Sequence, residues 1–213
     1  MGAASPSVLV YGHQGDVPGN TCNIYIIPEI ESAVVVLSNG TGFSDAADWI
    51  AQDIIQTICG LQPKVDFLSV AREAANLYLT HYTNDFRDPL EHHRDDQGPS
   101  PALNDFVGKY VMDNLDVAFI DVLLDVGDAS PTLRMMVNGY DDQAVELKHY
   151  RHDVFSYLPD SFDDCLKRGL DRTKWSAFLI HFLRRIDKDQ GRVTGCRWTL
   201  DGVDTFFTRQ ARY

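Results

Sequence analysis

Residues 177–208 read AFLIHFLRRIDKDQGRVTGCRWTLDGVDTFFT, and this stretch decides the fold. Three apolar runs, Ala177 to Leu183, Arg192 to Leu200 and Thr205 to Thr208, are separated by Gln190-Gly191 and Asp201-Gly202. Glycine-bearing pairs between β-branched and aromatic runs mark chain reversals in antiparallel sheets. The same texture continues toward the N-terminus through Val154 to Leu158, Ala144 to Tyr150, Thr132 to Val137, Ala118 to Val126 and Phe106 to Met112. Gly127-Asp128 and Asn138-Gly139 supply further turns. Eight short strands spaced this way predict an antiparallel barrel, closed or nearly closed, over 102–213. Asp160, Asp163 and Asp164 within it read as a solvated loop.

The first sixty residues read strand, strand, strand, helix. Ser7 to Tyr11 is short and β-branched, Thr21 to Ile27 ends at the turn signal Pro28-Glu29, and Ala33 to Leu37 is a continuous apolar run. Ser44 and Asp45 are N-cap residue types, Ile50, Ile54, Ile55 and Ile58 recur at helical spacing, and Gly60 with Pro63 ends the helix. Three strands and one helix are too little to close a two-layer core, so 1–60 needs cover from a partner chain, from self-association or from the next helix. That helix is predicted over Lys64 to Asp88 on the stripe Phe67, Leu68, Ala71, Ala75, Tyr78, Leu79 and Tyr82. The polar run Glu91 to Gly98, between Pro89 and Pro101, reads as the boundary, so 61–101 is helix plus linker. The expected class is α+β, a short antiparallel meander with helices followed by a β-barrel.

With 44% hydrophobic residues the chain can build a core, and a formal net charge of −12 disfavours nucleic acid and anionic membrane surfaces. Cys22, Cys59, Cys165 and Cys196 stand singly, without the spacing of a zinc site or a disulfide framework. The N-terminus lacks the pattern of a secretory signal and no apolar run is of membrane-spanning length, so the expected location is cytoplasmic. No metal or other cofactor is expected. His92-His93 among acids reads as a charged linker, and His149 and His152 as satisfied barrel residues. Trp198, Phe178 and Phe182 are placed as the lining of a barrel mouth able to take a small apolar ligand.

One run carries a resemblance. Tyr11-Gly12-His13-Gln14-Gly15-Asp16-Val17-Pro18-Gly19-Asn20 precedes a strand ending in Pro28-Glu29, then Val34-Val35-Val36-Leu37-Ser38-Asn39 and a helix. In this order the segments resemble the C-terminal end of the catalytic domain of class C β-lactamase-related, penicillin-binding-protein-like serine hydrolases. His13-Gln14-Gly15 matches that family's third box, written K-T-G in many members and H-x-G in this branch. The resemblance implies that this strand edge lines an acyl site: its backbone pairs with substrate, His13 lends a donor, and Gly15 permits close approach. Gly108-Lys109-Tyr110, Leu147-Lys148-His149-Tyr150, Val154-Phe155-Ser156 and Gly202 to Phe207 are similar to the lipocalin-like domain that follows in fungal-type members.

The departures carry as much weight. The family's nucleophile is a Ser followed three residues later by Lys, and no Ser here has Lys at that spacing. The second box, Tyr-x-Asn, matches only Tyr82-Thr83-Asn84, after the third box and inside a predicted helix. No catalytic residue is therefore expected from this chain alone, because acylation lacks its attacking atom. One reading is a truncated or split hydrolase that needs another chain. A second is a repurposed lipocalin-like module, binding a small molecule or acting as a cyclase in specialised metabolism. A third is an assembly role for the barrel.

Overall fold

The structure, a computed structural model, describes residues 1–17, 19–40, 44–95, 98, 101–126, 130–170, 173–185 and 191–211. It divides into two compact units, Met1–Tyr82 with Ser161–Asp171, and Thr83–Asp160 with Arg172–Tyr213.

In the first unit, β1 (Tyr11–Val17), β2 (Asn20–Ile27) and β3 (Ser32–Ser38) form an antiparallel sheet in the order β1-β2-β3. Helix α1 (Ala46–Ile58) lies on one face, where Ala51 and Ile55 bury against Ile27 and Val34. The Asp45 carboxylate caps α1 by accepting the Asp48 N–H at 3.0 Å. Buried Gln56 accepts from the Val65 N–H at 2.8 Å and donates to its carbonyl at 2.9 Å, fixing the connection to α2 (Phe67–His81).

Three sequence expectations shift in this unit. The first strand is Tyr11–Val17, not Ser7 to Tyr11: Val8 and Val10 pack against the α1 core instead of joining a ladder. The predicted stripe on α2 is only half-buried at Phe67, Ala71, Ala75 and Tyr78, while Leu68 and Leu79 are exposed. These two leucines stand about 100° round the helix from Phe67 and Tyr78, off the packed face. The acidic cluster is only partly loop: Asp160 lies in an exposed bend, while Asp163 and Asp164 open helix α4 (Phe162–Lys167), capped by Ser161, which accepts the Asp164 N–H at 3.2 Å. Carboxylates there sit at the positive end of the helix. The Phe162 ring meets Tyr78 edge-on at 4.6 Å.

The second unit begins at Thr83, inside a π-helical turn (Tyr82–Arg87) that leads into α3 (Asp88–His92). It continues as β4 (Gly108–Met112), β5 (Phe119–Asp125), β6 (Thr132–Val137), β7 (Val145–Arg151), β8 (Val154–Ser156), β9 (Leu179–Arg185), β10 (Arg192–Leu200) and β11 (Val203–Arg209). Each strand pairs antiparallel with the next, and β11 closes onto β4 through Phe207↔Met112 and Arg209↔Tyr110, making an eight-stranded closed barrel. The expected α+β class, meander then lipocalin-like barrel, is what the chain adopts.

The units divide at Tyr82–Thr83, ahead of the polar segment 89–101. Phe86 and Leu90 are buried, the Tyr150 hydroxyl donates to the Leu90 carbonyl at 3.0 Å, and Arg94 reaches Ser156 Oγ at 3.0 Å and lies over the Tyr150 ring. Residues 83–95 therefore belong to the barrel side of the chain. Their apolar anchors, two residues in a charged context, are too sparse to register as periodicity. Asp96, Gln97, Pro99 and Ser100 lie outside the described residues.

Candidate functional site

The third-box residues lie on β1, an edge strand of the meander. The register places His13 opposite Ile24, Gln14 opposite Asn23 and Gly15 opposite Cys22. Side chains alternate across a strand, so His13 shares the face turned away from α1, and Gln14 shares the helix side.

On the helix side a polar network ties sheet to helix. Buried Asn23 donates to Asp45 at 3.3 Å, and the Tyr25 hydroxyl donates to Asp48, which also accepts from Gln52. Burial and then the Asp48 carboxylate push Tyr25 up to about 12, so it is a fixed donor and no base at neutral pH. On the far face, His13 is exposed and no described residue hydrogen-bonds to its ring.

Two of the run's three glycines, Gly12 and Gly15, are explained by cross-strand packing. A Cβ on Gly12 would stand 2.4 Å from the Tyr25 ring, and one on Gly15 would stand 2.7 Å from Cys22 Sγ. The space at Gly15 that the resemblance assigns to substrate approach is thus occupied in part by its own ladder partner.

Tyr82-Thr83-Asn84 sits in the π-helical turn, with Asn84 exposed. His93 stacks on Trp175 with centroids 4.8 Å apart, its Nδ1 2.8 Å from the Pro89 carbonyl. His149 Nε2 lies 3.0 Å from the His152 carbonyl. Among the described residues no group of three His, Cys, Asp or Glu side chains is gathered as metal ligands. All four cysteines are free thiols. Burial pushes the Cys196 thiol upward, the reverse of what a nucleophile needs.

Of the three barrel aromatics, Phe178 and Trp198 both pack on Tyr157, and Phe182 lies in a different ring cluster. Phe182 is buried among Phe106, Tyr110 and Phe155, with centroids 4.9, 5.6 and 5.7 Å away. Phe178 packs on Phe86 and Tyr157. Trp198 packs on Tyr157 and donates its indole N–H to the Ala177 carbonyl at 3.0 Å. An eight-stranded barrel is just wide enough for side chains to fill, and all three of these rings are buried.

Sequence reasoning missed the arginine clasp at one barrel end. Arg184 Nε donates to both Asp153 oxygens at 2.8 Å, and its guanidinium reaches Asp105 at 3.0 Å and lies over the Phe106 ring. Arg209 donates to the carbonyls of Asp105 and Val193 at 2.8 and 3.1 Å and to that of Val107. With Asn104, Gly191 and Arg192 they border an open cleft of about 470 Å3. Its donors and acceptors come from positions up to 104 residues apart, a pairing no local pattern announces.

No family model and no curated protein matches the chain. Among solved structures it is similar to the octameric penicillin-binding protein homologue from Pyrococcus abyssi, at 14% identity and a TM-score of 0.23. That match covers 93% of this chain and 33% of the other, so the chain spans about a third of that protein's length. A likeness this distant carries no functional argument.

Proposed function

We propose that this chain is a fragment of a β-lactamase-related serine hydrolase that keeps one wall of the acyl site and is not a hydrolase on its own. The observation that carries the reading is the position of His13-Gln14-Gly15: an edge strand of an antiparallel meander backed by a capped helix, with the His13 ring exposed. An edge strand offers unpaired N–H and C=O groups to an extended acyl group, and His13 would add one donor. A donor by itself removes only a few kcal/mol from a barrier, and only when something attacks. With no Ser-x-x-Lys in these residues, the attacking hydroxyl and its base would have to come from outside them. The alternative, a barrel that holds an apolar small molecule, has against it the burial of Phe178, Phe182 and Trp198, the rings that would contact the ligand.

The test is covalent labelling of the purified chain with a β-lactam or an activated ester, read by intact-mass spectrometry. The expected result is no stoichiometric adduct. An acyl adduct at one mole per mole on any Ser overturns the reading.

A further inference from the structure

The face of the meander opposite α1 is apolar apart from His13. Its cross-strand rows are Tyr11–Ile26–Ala33, His13–Ile24–Val35 and Gly15–Cys22–Leu37, with Val17 at the end of β1. No Asp, Glu, Lys or Arg stands in these rows. Tyr11 is 59% exposed, Val17 59%, Ile24 41%, Ile26 48%, Val35 54% and Leu37 76%. For side chains of this size that is roughly 700 Å2 in one patch. A soluble monomer ordinarily exposes a few hundred Å2, and each partner in a stable dimer contributes about 800 Å2.

We propose that this face is a homodimer interface, covered by the same face of a second copy of the chain. The argument is one of area and charge and does not rest on the hydrolase reading; the dimer would cover the face that bears His13, so the two readings compete for that face. The patch is about what one partner must bury, so a copy supplies a matching surface of equal extent under a two-fold axis. The chain carries a net charge of −12, yet none of it lies in these rows. A basic partner drawn by that charge would be steered to other parts of the surface. Apolar faces of two sheets pack about 10 Å apart with strands within about 30° of each other, and the rows have no charge to strand between them. The product is a four-layer arrangement with α1 outermost on each side.

The test is sedimentation equilibrium of the full chain from about 1 to about 100 µM, where a dimer forms by mass action. The expected mass is twice 24.0 kDa at the upper end. Val35→Lys with Leu37→Lys places charge in the patch at positions already exposed in the protomer. That pair should weaken association by about 100-fold, because a buried unpaired ammonium is costly. If circular dichroism finds it misfolded, Val35→Thr with Leu37→Thr should weaken association by about 10-fold, exchanging apolar surface for hydroxyls without adding charge. A chain that stays monomeric at every concentration overturns the proposal, whether exchange leaves the β2 and β3 amides bare or finds them protected by another part of the chain. So does a dimer that persists in the folded variants.

Discussion

Truncating Phe182 to Ala is expected to destabilise the barrel unit by about 4 kcal/mol. The ring is 5% exposed and meets Phe106, Tyr110 and Phe155 with all three interplanar angles at 60° or more. Removing a buried Phe ring costs about 3–5 kcal/mol, the lost transfer energy plus a cavity term. Edge-to-face pairs are worth about 0.5–1.5 kcal/mol each, a contribution already inside that range. The strands bearing these rings are held in a closed ladder, so the site cannot collapse to fill the hole, which argues for the middle or upper part of the range. At about 3–5 °C per kcal/mol the unfolding midpoint should fall by about 10–20 °C. Urea and thermal denaturation followed by the fluorescence of Trp175 and Trp198, both in the barrel unit, would measure it. A loss below about 1 kcal/mol would refute the reasoning. It would mean that the ring borders empty space, as the wall of a ligand chamber does, and the small-molecule reading would regain its footing.

Two further outcomes follow from the same geometry. Gly195→Ala should cost about 2 kcal/mol in a urea titration, because the new Cβ would stand 2.5 Å from the Phe207 carbonyl oxygen, backbone that cannot swing aside; an unchanged midpoint would contradict the packing. Tyr25, raised to about 12 against an ordinary value near 10, should give a late-titrating tyrosine in absorbance at alkaline pH that disappears in Tyr25→Phe. The folded state holds this proton more tightly than the unfolded one. Its stabilising contribution is therefore complete below pH 10 and is lost as the pH rises from about 10 to about 12. A Tyr25→Phe variant with the parent's alkaline stability profile would sink that assignment.

What the sequence determined by itself was local. β6 and β10 fall on the predicted residues, Thr132–Val137 and Arg192–Leu200, because period-2 alternation and bounding turns are written within a few positions. Asn138-Gly139 and Asp201-Gly202 take the left-handed backbone that such turns require, at φ 50° and 74°, and 48° and 77°. Asp45 caps α1 because a short carboxylate three residues ahead of a free N–H needs nothing more distant.

Tertiary structure decided whatever depends on partners far along the chain. The Ser7–Val10 run has strand propensity but packs on α1. The glycine-bearing box forms β1 because Tyr25 and Cys22 cover Gly12 and Gly15 from the next strand. The seating of Phe86, Leu90 and Arg94 beside the barrel strands, and the arginine clasp, come from contacts between positions dozens to a hundred residues apart. The candidate site divides along the same line. His13, Gln14 and Gly15 are legible as a motif, and their place on an edge strand with one face bare appears only once the ladders form. The aromatic ring set Phe178, Phe182 and Trp198 was legible as apolar, but whether it lines a mouth or fills a core is a property of closure. Closure joins β11 to β4, a cooperative outcome of all eight strands that no window of sequence contains.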